Sequence, residues 1–277
     1  MSIYKAEKVT KNITRIIMPY VCFYYVEGTE RGLLIDNGWG YDDLRPVIDE
    51  IATKEYDVLL THGHPDHAGA TNQFSDKRVY LNHKDQKMFD RSCSEPTRRF
   101  LLKNHFEKHA MDFDRDLMSP IYQGGFTDLS DGQVFDLGSY TLELIEVPGH
   151  TPGIMTVLFK EDRLLLAGDA CFNPISLNNQ SSLSVESLYE SIPKLFPYLR
   201  EVDLVLTNHN GYDAPIDVVY ASHYLAGEIL KGNDDKVRIK KDNNWLIARH
   251  KDQSKLSDIA ETANIYYYPN RIYKSEE

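Results

Sequence analysis

The pattern of residues in this chain predicts an α/β protein of two similar halves, each a sheet with helices on its outer side. Three observations carry that expectation. Strand-like and helix-like stretches alternate along the first half, one segment of that half is echoed in the second, and a dense histidine cluster lies where a strand ends and a helix begins. Such a junction is where open α/β layers hold ligands.

The elements follow in order. Ile13 to Met18, Cys22 to Val26 and Gly32 to Ile35 are strand-like runs, and Asp36-Asn37-Gly38 after them reads as a turn signal. Tyr41 to Ile51 places Leu44, Val47, Ile48 and Ile51 at helical spacing. Tyr56 to Leu60 is a buried strand, Asp66 to Asn72 opens a helix with an acidic residue in its first turn, and Val79 to Leu81 is a further short strand. From Lys84 to about Met118 the charges Arg98-Arg99, Lys103, Glu107-Lys108 and Asp112 to Asp116 alternate with Phe100, Leu101, Phe106 and Phe113. This stretch reads as half-buried helix with its charges on a solvated face, or as a helical lid over 84–118.

Strands resume at Gln133 to Phe135, Tyr140 to Val147, Ile154 to Phe159 and Arg163 to Ala167. Asp57-Val58-Leu59-Leu60-Thr61-His62-Gly63 is answered by Asp203-Leu204-Val205-Leu206-Thr207-Asn208-His209-Asn210-Gly211. Each is an aspartate, an apolar strand, a threonine and a histidine loop. No linker rich in Pro, Gly or Ser separates the halves, about 1–130 and 131–277, so a single domain over 1–277 is expected. The tail from Lys236 to Tyr273 reads as closing strands and a helix.

Composition narrows the function classes. With 277 residues, 42% of them hydrophobic, the chain can bury a large core. A net charge of −11 argues against a protein that grips a phosphate backbone, so no nucleic-acid partner is expected. No secretory signal and no apolar run long enough to span a bilayer are visible, and the three cysteines, Cys22, Cys93 and Cys171, form no CxxC pair. A cytoplasmic protein acting on a small molecule away from membranes is expected, with a homo-oligomer left open.

The chemistry concentrates in four strand-end segments. Thr61-His62-Gly63-His64-Pro65-Asp66-His67 is the densest; Pro148-Gly149-His150-Thr151-Pro152-Gly153, Leu166-Ala167-Gly168-Asp169 and Asn208-His209-Asn210-Gly211 each add one ligand type just past an apolar strand. Together they supply five histidines, His62, His64, His67, His150 and His209, and two carboxylates, Asp66 and Asp169. Imidazole and carboxylate suit zinc, and also iron or manganese. Seven ligands exceed one tetrahedral ion and suffice for two divalent ions, and a carboxylate has two oxygens with which to bridge them. Cys171, close to Asp169, reads as a packed inert thiol, and His83, His105, His109, His223 and His250 as structural or exposed.

This arrangement, HxHxDH followed by an isolated His, Asp and His in PGHTPG and GD contexts, closely resembles the metallo-β-lactamase-fold hydrolases over nearly the whole chain. The resemblance implies a four-layer αββα sandwich with a helical insertion and the site at one edge between its sheets. It further implies that His62, His64 and His150 hold one metal, that Asp66, His67 and His209 hold the second, and that Asp169 bridges them. By the same resemblance Asp66 and Asp169 would be the carboxylates with catalytic roles, and Asp57 matches an aspartate that orients a ligand, because a ligating imidazole wants an acceptor for its other N–H. A metal-bound hydroxide would then attack the substrate without a serine or cysteine nucleophile.

Fold does not fix substrate. Asp169 stands where the commonest zinc β-lactamases have cysteine, His64 where flavodiiron proteins have glutamate, and no RNA-gripping arm is visible. Gly168-Asp169-Ala170-Cys171-Phe172 resembles the glyoxalase II segment GDTLF, and Phe172 stands where quorum-quenching lactonases have tyrosine. The Asn173 to Ser182 stretch lacks the Lys and Arg of glutathione contacts, while Lys236, Arg238, Lys240 and Lys241 read first as a solvated strand face and only second as contacts for an acidic substrate. The expectation is a glyoxalase II-like, dinuclear-metal-dependent hydrolase of an ester, thioester or lactone. The alternatives are a phosphodiesterase of the same fold and a metal-holding binding protein without turnover.

Overall fold

The computed structural model describes residues 2–108, 114–238, 244–249 and 263–277, with the side chains of 105–108 and 115 excepted. Contacts divide the chain into two units, Met1–Ser130 with Phe135–Thr141, and Asp131–Val134 with Leu142–Glu277.

The first unit contains strands β1 (Lys5–Lys8), β2 (Ile13–Met18), β3 (Val21–Glu27), β4 (Gly32–Ile35), β5 (Tyr56–Leu59) and β6 (Val79–Tyr80), which form one sheet in that order. The first four run antiparallel as a meander; β4, β5 and β6 then run parallel, joined through helices as parallel strands must be. β3 is buried along nearly its whole length because its residues pack on both sheet faces, which explains a continuous apolar run in place of strict alternation. Helix α1 (Arg45–Ile51) opens with Pro46 in its first turn, where a missing N–H is harmless, and buries Ile48. The short α2 (Pro65–Ala68), α3 (Gln86–Ser92) and α4 (Glu95–Lys108) follow. The core of this unit gathers Phe23, Leu34, Val58, Phe74, Phe89 and Leu102.

The stretch 84–118 is helical over α3 and α4, while 109–113, and with them His109, Asp112 and Phe113, lie outside the described residues. One part of its reading is corrected. Arg98, expected on a solvated face with its neighbours, is wholly buried because backbone carbonyls take up its donors. A charge pattern alone cannot separate such a residue from a solvated one.

β7 (Val134–Asp136) straddles the division between the units, and β8 (Thr141–Glu146) enters the second unit at Leu142. That unit also carries β9 (Met155–Phe159), β10 (Leu164–Leu166), β11 (Ile175–Leu177), β12 (Leu204–Leu206), β13 (Asp213–Ala214), β14 (Leu246–Ile247) and β15 (Ile265–Tyr267), with helices α5 (Val185–Ser191) and α6 (Asp217–Lys231). Its main sheet runs β13-β12-β10-β9-β8 with β7 at the edge, and β11-β15-β14 form a small second sheet. As β4 and β5 do in the first unit, β10 and β12 pair parallel. α6 presents Val218, Ser222, Leu225, Ala226 and Ile229 on one buried face, carries Asp217 in its first turn and Lys231 in its last, and ends at Gly232 in the left-handed region. The expected tail strands are β14 and β15; Lys240, Lys241 and His250 lie outside the described residues.

Candidate metal-binding residues

β5 ends at Leu59, and the histidine motif begins two residues later. His64 is the extended N-cap of α2, Pro65 takes the first helical position, and Asp66 complements the positive helix end. The turn before them needs glycine at 63: a Cβ there would lie 2.9 Å from the carbonyl oxygen of Asp85. A strand end, a tight approach and one helical turn thus aim four polar side chains from seven residues.

The imidazoles are held in defined tautomers. The Thr61 hydroxyl donates to Asp36 at 2.8 Å, so its lone pair accepts Nδ1–H of His62 at 3.1 Å and the lone pair of His62 falls on Nε2. That Nε2 lies 3.0 Å from Nδ1 of His64, and two nitrogens so placed are stable only with a proton or a cation between them. His67 gives its Nδ1–H to Asp36 at 2.8 Å, which turns Nε2 toward Asp66, 3.8 Å away. Ligand atoms of His62 with His64, His62 with His67 and Asp66 with His67 lie within 4.8 Å in each pair.

In the second unit Asp169 follows β10 and His209 follows β12, while His150 sits in the turn between β8 and β9. His150 donates Nδ1–H to the backbone carbonyl of Ser176 at 2.8 Å, an acceptor that leaves only Nε2 for coordination. The two carboxylate oxygens of Asp169 divide between the two imidazoles: Oδ2 is 3.5 Å from Nε2 of His150 and Oδ1 is 3.5 Å from Nε2 of His209. Two donors at zinc–ligand distances of 2.0–2.1 Å around one tetrahedral ion lie about 3.3 Å apart. The donor set and its spacing within each unit therefore fit divalent metal, and the split of Asp169 fits a carboxylate shared by two ions.

The expectation for Asp57 is corrected. Its carboxylate meets the Arg31 guanidinium at 2.7 Å at the start of the β4–β5 pair and no motif imidazole. The echo explains why: Asp203, its counterpart, is bound through two 2.8 Å contacts to Arg163 at the start of the β10–β12 pair. Both aspartates pin the entry of a parallel strand pair. The carboxylate that orients candidate ligands is Asp36, fully buried, held by Thr61 N–H, Thr61 O–H and His67 Nδ1–H. The one signal for it was an aspartate directly after an apolar strand, hidden by the Asn37-Gly38 turn that follows.

The remaining candidates have other surroundings. Cys171 is wholly buried, and burial pushes its thiol up to about 12, far from a reactive thiolate. His83 is exposed beside Asp128, and His223 stacks on Tyr189. Phe172 packs its ring 5.8 Å from that of His209.

Comparison with known proteins places these observations. The sequence model of the Metallo-beta-lactamase superfamily matches residues 20–223. The chain is 28% identical over 197 residues, 69% of its length and 85% of the relative's, to hydroxyacylglutathione hydrolase GloC of Haemophilus influenzae. It is 25% identical over 168 residues, 54% of its length and 58% of the relative's, to the acyl-coenzyme A thioesterase MBLAC2 of Homo sapiens. Among solved structures, a beta-lactamase domain protein from Burkholderia ambifaria superposes with a TM-score of 0.61 at 17% identity, over 82% of this chain and 74% of that one, a likeness of fold. The mixed α/β architecture, with two main sheets and flanking helices, is the metallo-β-lactamase fold. With a family match over most of its length and His/Asp clusters at its strand ends, the chain belongs to the metallo-beta-lactamase superfamily.

Proposed function

We propose that this protein is a thioester hydrolase that works with two divalent metal ions, zinc foremost, held by His62, His64 and His150, by Asp66, His67 and His209, and by Asp169 in common. Asp169 carries this reading, because its two oxygens turn to two different imidazoles, as a carboxylate serving two cations must. Bound divalent cations would supply acidification of a water and polarisation of the scissile carbonyl. The chain's own residues do the rest. Asp36, Thr61 and the Ser176 carbonyl keep three imidazoles in the tautomer that presents Nε2, so no reorganisation is needed when ligand arrives. Buried Cys171 takes no part as nucleophile.

The substrate class rests on two supports. The relatives named above include a hydroxyacylglutathione hydrolase and an acyl-coenzyme A thioesterase. Phe172 beside His209 offers no proton to a leaving group, which suits a thiolate, able to depart unprotonated, better than an alkoxide. Action on a small molecule inside the cytoplasm belongs to the same proposal.

The test is elemental analysis of purified protein followed by turnover of matched thioester, carboxyl ester, lactone and phosphodiester substrates. Two metal ions per chain and the highest kcat/KM on thioesters are expected. Preference for bis(p-nitrophenyl) phosphate, or metal binding with no turnover at all, would overturn the proposal.

A further inference from the structure

Arg98, in α4, has the largest side chain among the fully buried residues. Its partners are all backbone carbonyls: Nε donates to Cys93 at 2.8 Å, one terminal nitrogen to Trp39 at 2.9 Å and Gly40 at 3.4 Å, the other to Ser119 at 2.5 Å. Desolvation pulls its pKa down from the ordinary arginine value, with no carboxylate among the opposing causes. A buried cation of this kind is costly unless its geometry does something a neutral side chain cannot.

What it does is visible in the loops it joins. The carbonyls of Trp39 and Gly40 belong to the 37–41 loop, which interlocks with α2 and the residues after it. Asn37 N–H donates to the His67 carbonyl and Gly69 N–H to the Gly38 carbonyl, each at 2.7 Å, and Ala70 N–H to the Asn37 side chain at 2.9 Å. The backbones touch so closely that a Cβ on Gly40 would stand 2.2 Å from the Gly69 carbonyl oxygen and 2.5 Å from Arg98 itself. Ser119, the third segment, donates N–H to Gly40 at 2.8 Å and its hydroxyl to Gly69 at 3.3 Å. The C-terminal end of α3 also reaches the motif: the Ser92 hydroxyl, shared between the Met88 carbonyl at 2.8 Å and the Gly63 carbonyl at 3.2 Å, links the helix to it. A planar fork with fixed donor directions can hold three chain segments in one register; an ammonium cannot.

We propose that Arg98 is a positioning residue that fixes α2, and through it Asp66 and His67, by clamping the Trp39–Gly40 carbonyls and Ser119 against Gly69. The segment after the histidine motif is then its buttress. The functional side of this inference rests on the reading of Asp66 and His67 as metal ligands; the clamp itself does not.

The experiment compares wild type, Arg98→Lys, Arg98→Met and Leu102→Ala, the last removing a fully buried side chain of the same helix. Hydrogen exchange is followed on chelator-treated protein, zinc affinity by competition with a chromogenic chelator, and the visible spectrum after cobalt(II) substitution. Arg98→Lys is expected to fold, to exchange faster at 37–41 and 65–70, to lose roughly 10- to 100-fold in zinc affinity, and to alter the cobalt spectrum. Leu102→Ala is expected to lower Tm while leaving affinity and spectrum at wild-type values. Unchanged exchange at 65–70 in both Arg98 variants, or the same losses in Leu102→Ala, would overturn the clamp. Should wild type bind no zinc, the metal reading fails by itself, and exchange in the metal-free protein still decides whether Arg98 holds α2.

Discussion

Asp36 and His67 share a 2.8 Å hydrogen bond in which neither side chain is exposed to solvent. The same carboxylate takes the backbone N–H and the hydroxyl of Thr61, and that hydroxyl holds His62. One buried aspartate thus sets the tautomer of two candidate ligands. Its backbone is in the left-handed region, at φ 63°, which aspartate tolerates better than most residues. Replacing Asp36 by Asn puts an amide where a pure acceptor is required, so metal affinity should fall roughly 10- to 100-fold. Asp57→Asn, by contrast, removes a partly exposed pair with Arg31 and should change stability by no more than about 1 kcal/mol, with metal affinity intact. Chelator competition on the two variants decides between them; equal losses would return Asp57 to the site.

Much of the fold was legible because its signals are local. β2, β4 and β5 are short, mostly apolar runs, and the histidine motif sits at the strand-to-helix junction that its flanks announce. The other ligand candidates stand past β8, β10 and β12, positions set by short apolar strands and neighbouring glycines. The missed pieces depend on partners distant in sequence. Asp36 looks like any turn aspartate until Thr61 and His67 meet it, 25 and 31 residues on. Arg98 resembles Arg99, yet it meets carbonyls 58 and 59 residues earlier in the chain. β11, only Ile175–Leu177, is too short to show periodicity and exists by pairing with β15. α6 has the spacing of a helix in Val218, Ser222, Leu225 and Ile229, but polar Ser222 breaks its apolar stripe in the sequence.

Stability should respond to acid through Glu27. Burial opposes its ionisation, but hydrogen bonds from Tyr25, from Thr53 and from the backbone of Thr53 and Lys54 together hold its pKa below the ordinary 4.5. A depressed folded-state pKa contributes stability above the unfolded value and loses it as pH falls through the folded one. Glu27→Gln should therefore lower Tm near neutrality, with the gap to wild type closing below about pH 4. A gap that is constant from pH 7 to pH 3 would show that the carboxylate charge is irrelevant.

The three cysteines are all buried and unpaired in disulfides. Burial raises the thiols of both Cys93 and Cys171, the latter to about 12. Ellman's reagent should find essentially no fast-reacting thiol in the native protein and three after unfolding. Turnover should survive iodoacetamide. Rapid alkylation of Cys171 with parallel loss of activity would contradict both the burial and the assignment of no role to it.

Asp169 is where metal stoichiometry should be most sensitive. Because its oxygens lie against His150 and His209 separately, Asp169→Ala removes the carboxylate that the two imidazoles share in the proposed site. Metal content should fall from two ions per chain to one or fewer, and kcat should drop on the order of 100-fold or more. Elemental analysis after gel filtration, paired with steady-state turnover, checks both. Full activity in a variant holding a single ion would replace the shared-carboxylate reading with a mononuclear one.

Substrate preference turns on Phe172, whose ring lies 5.8 Å from that of His209 and is nearly buried. A thiolate leaves without help, whereas the alkoxide of an alkyl ester or lactone needs a proton or a cation to stabilise it. Wild type should then cleave thioesters faster than alkyl esters or lactones of the same acyl group. Phe172→Tyr adds a phenolic hydroxyl at nearly constant volume, so it should raise kcat on lactones and alkyl esters while leaving thioester turnover within a few-fold of wild type. The measurement is the ratio of kcat values for matched acyl groups in the two proteins. If the tyrosine variant gains nothing on oxygen esters, leaving-group protonation does not limit the reaction, and the argument from Phe172 to a thioester substrate loses its basis.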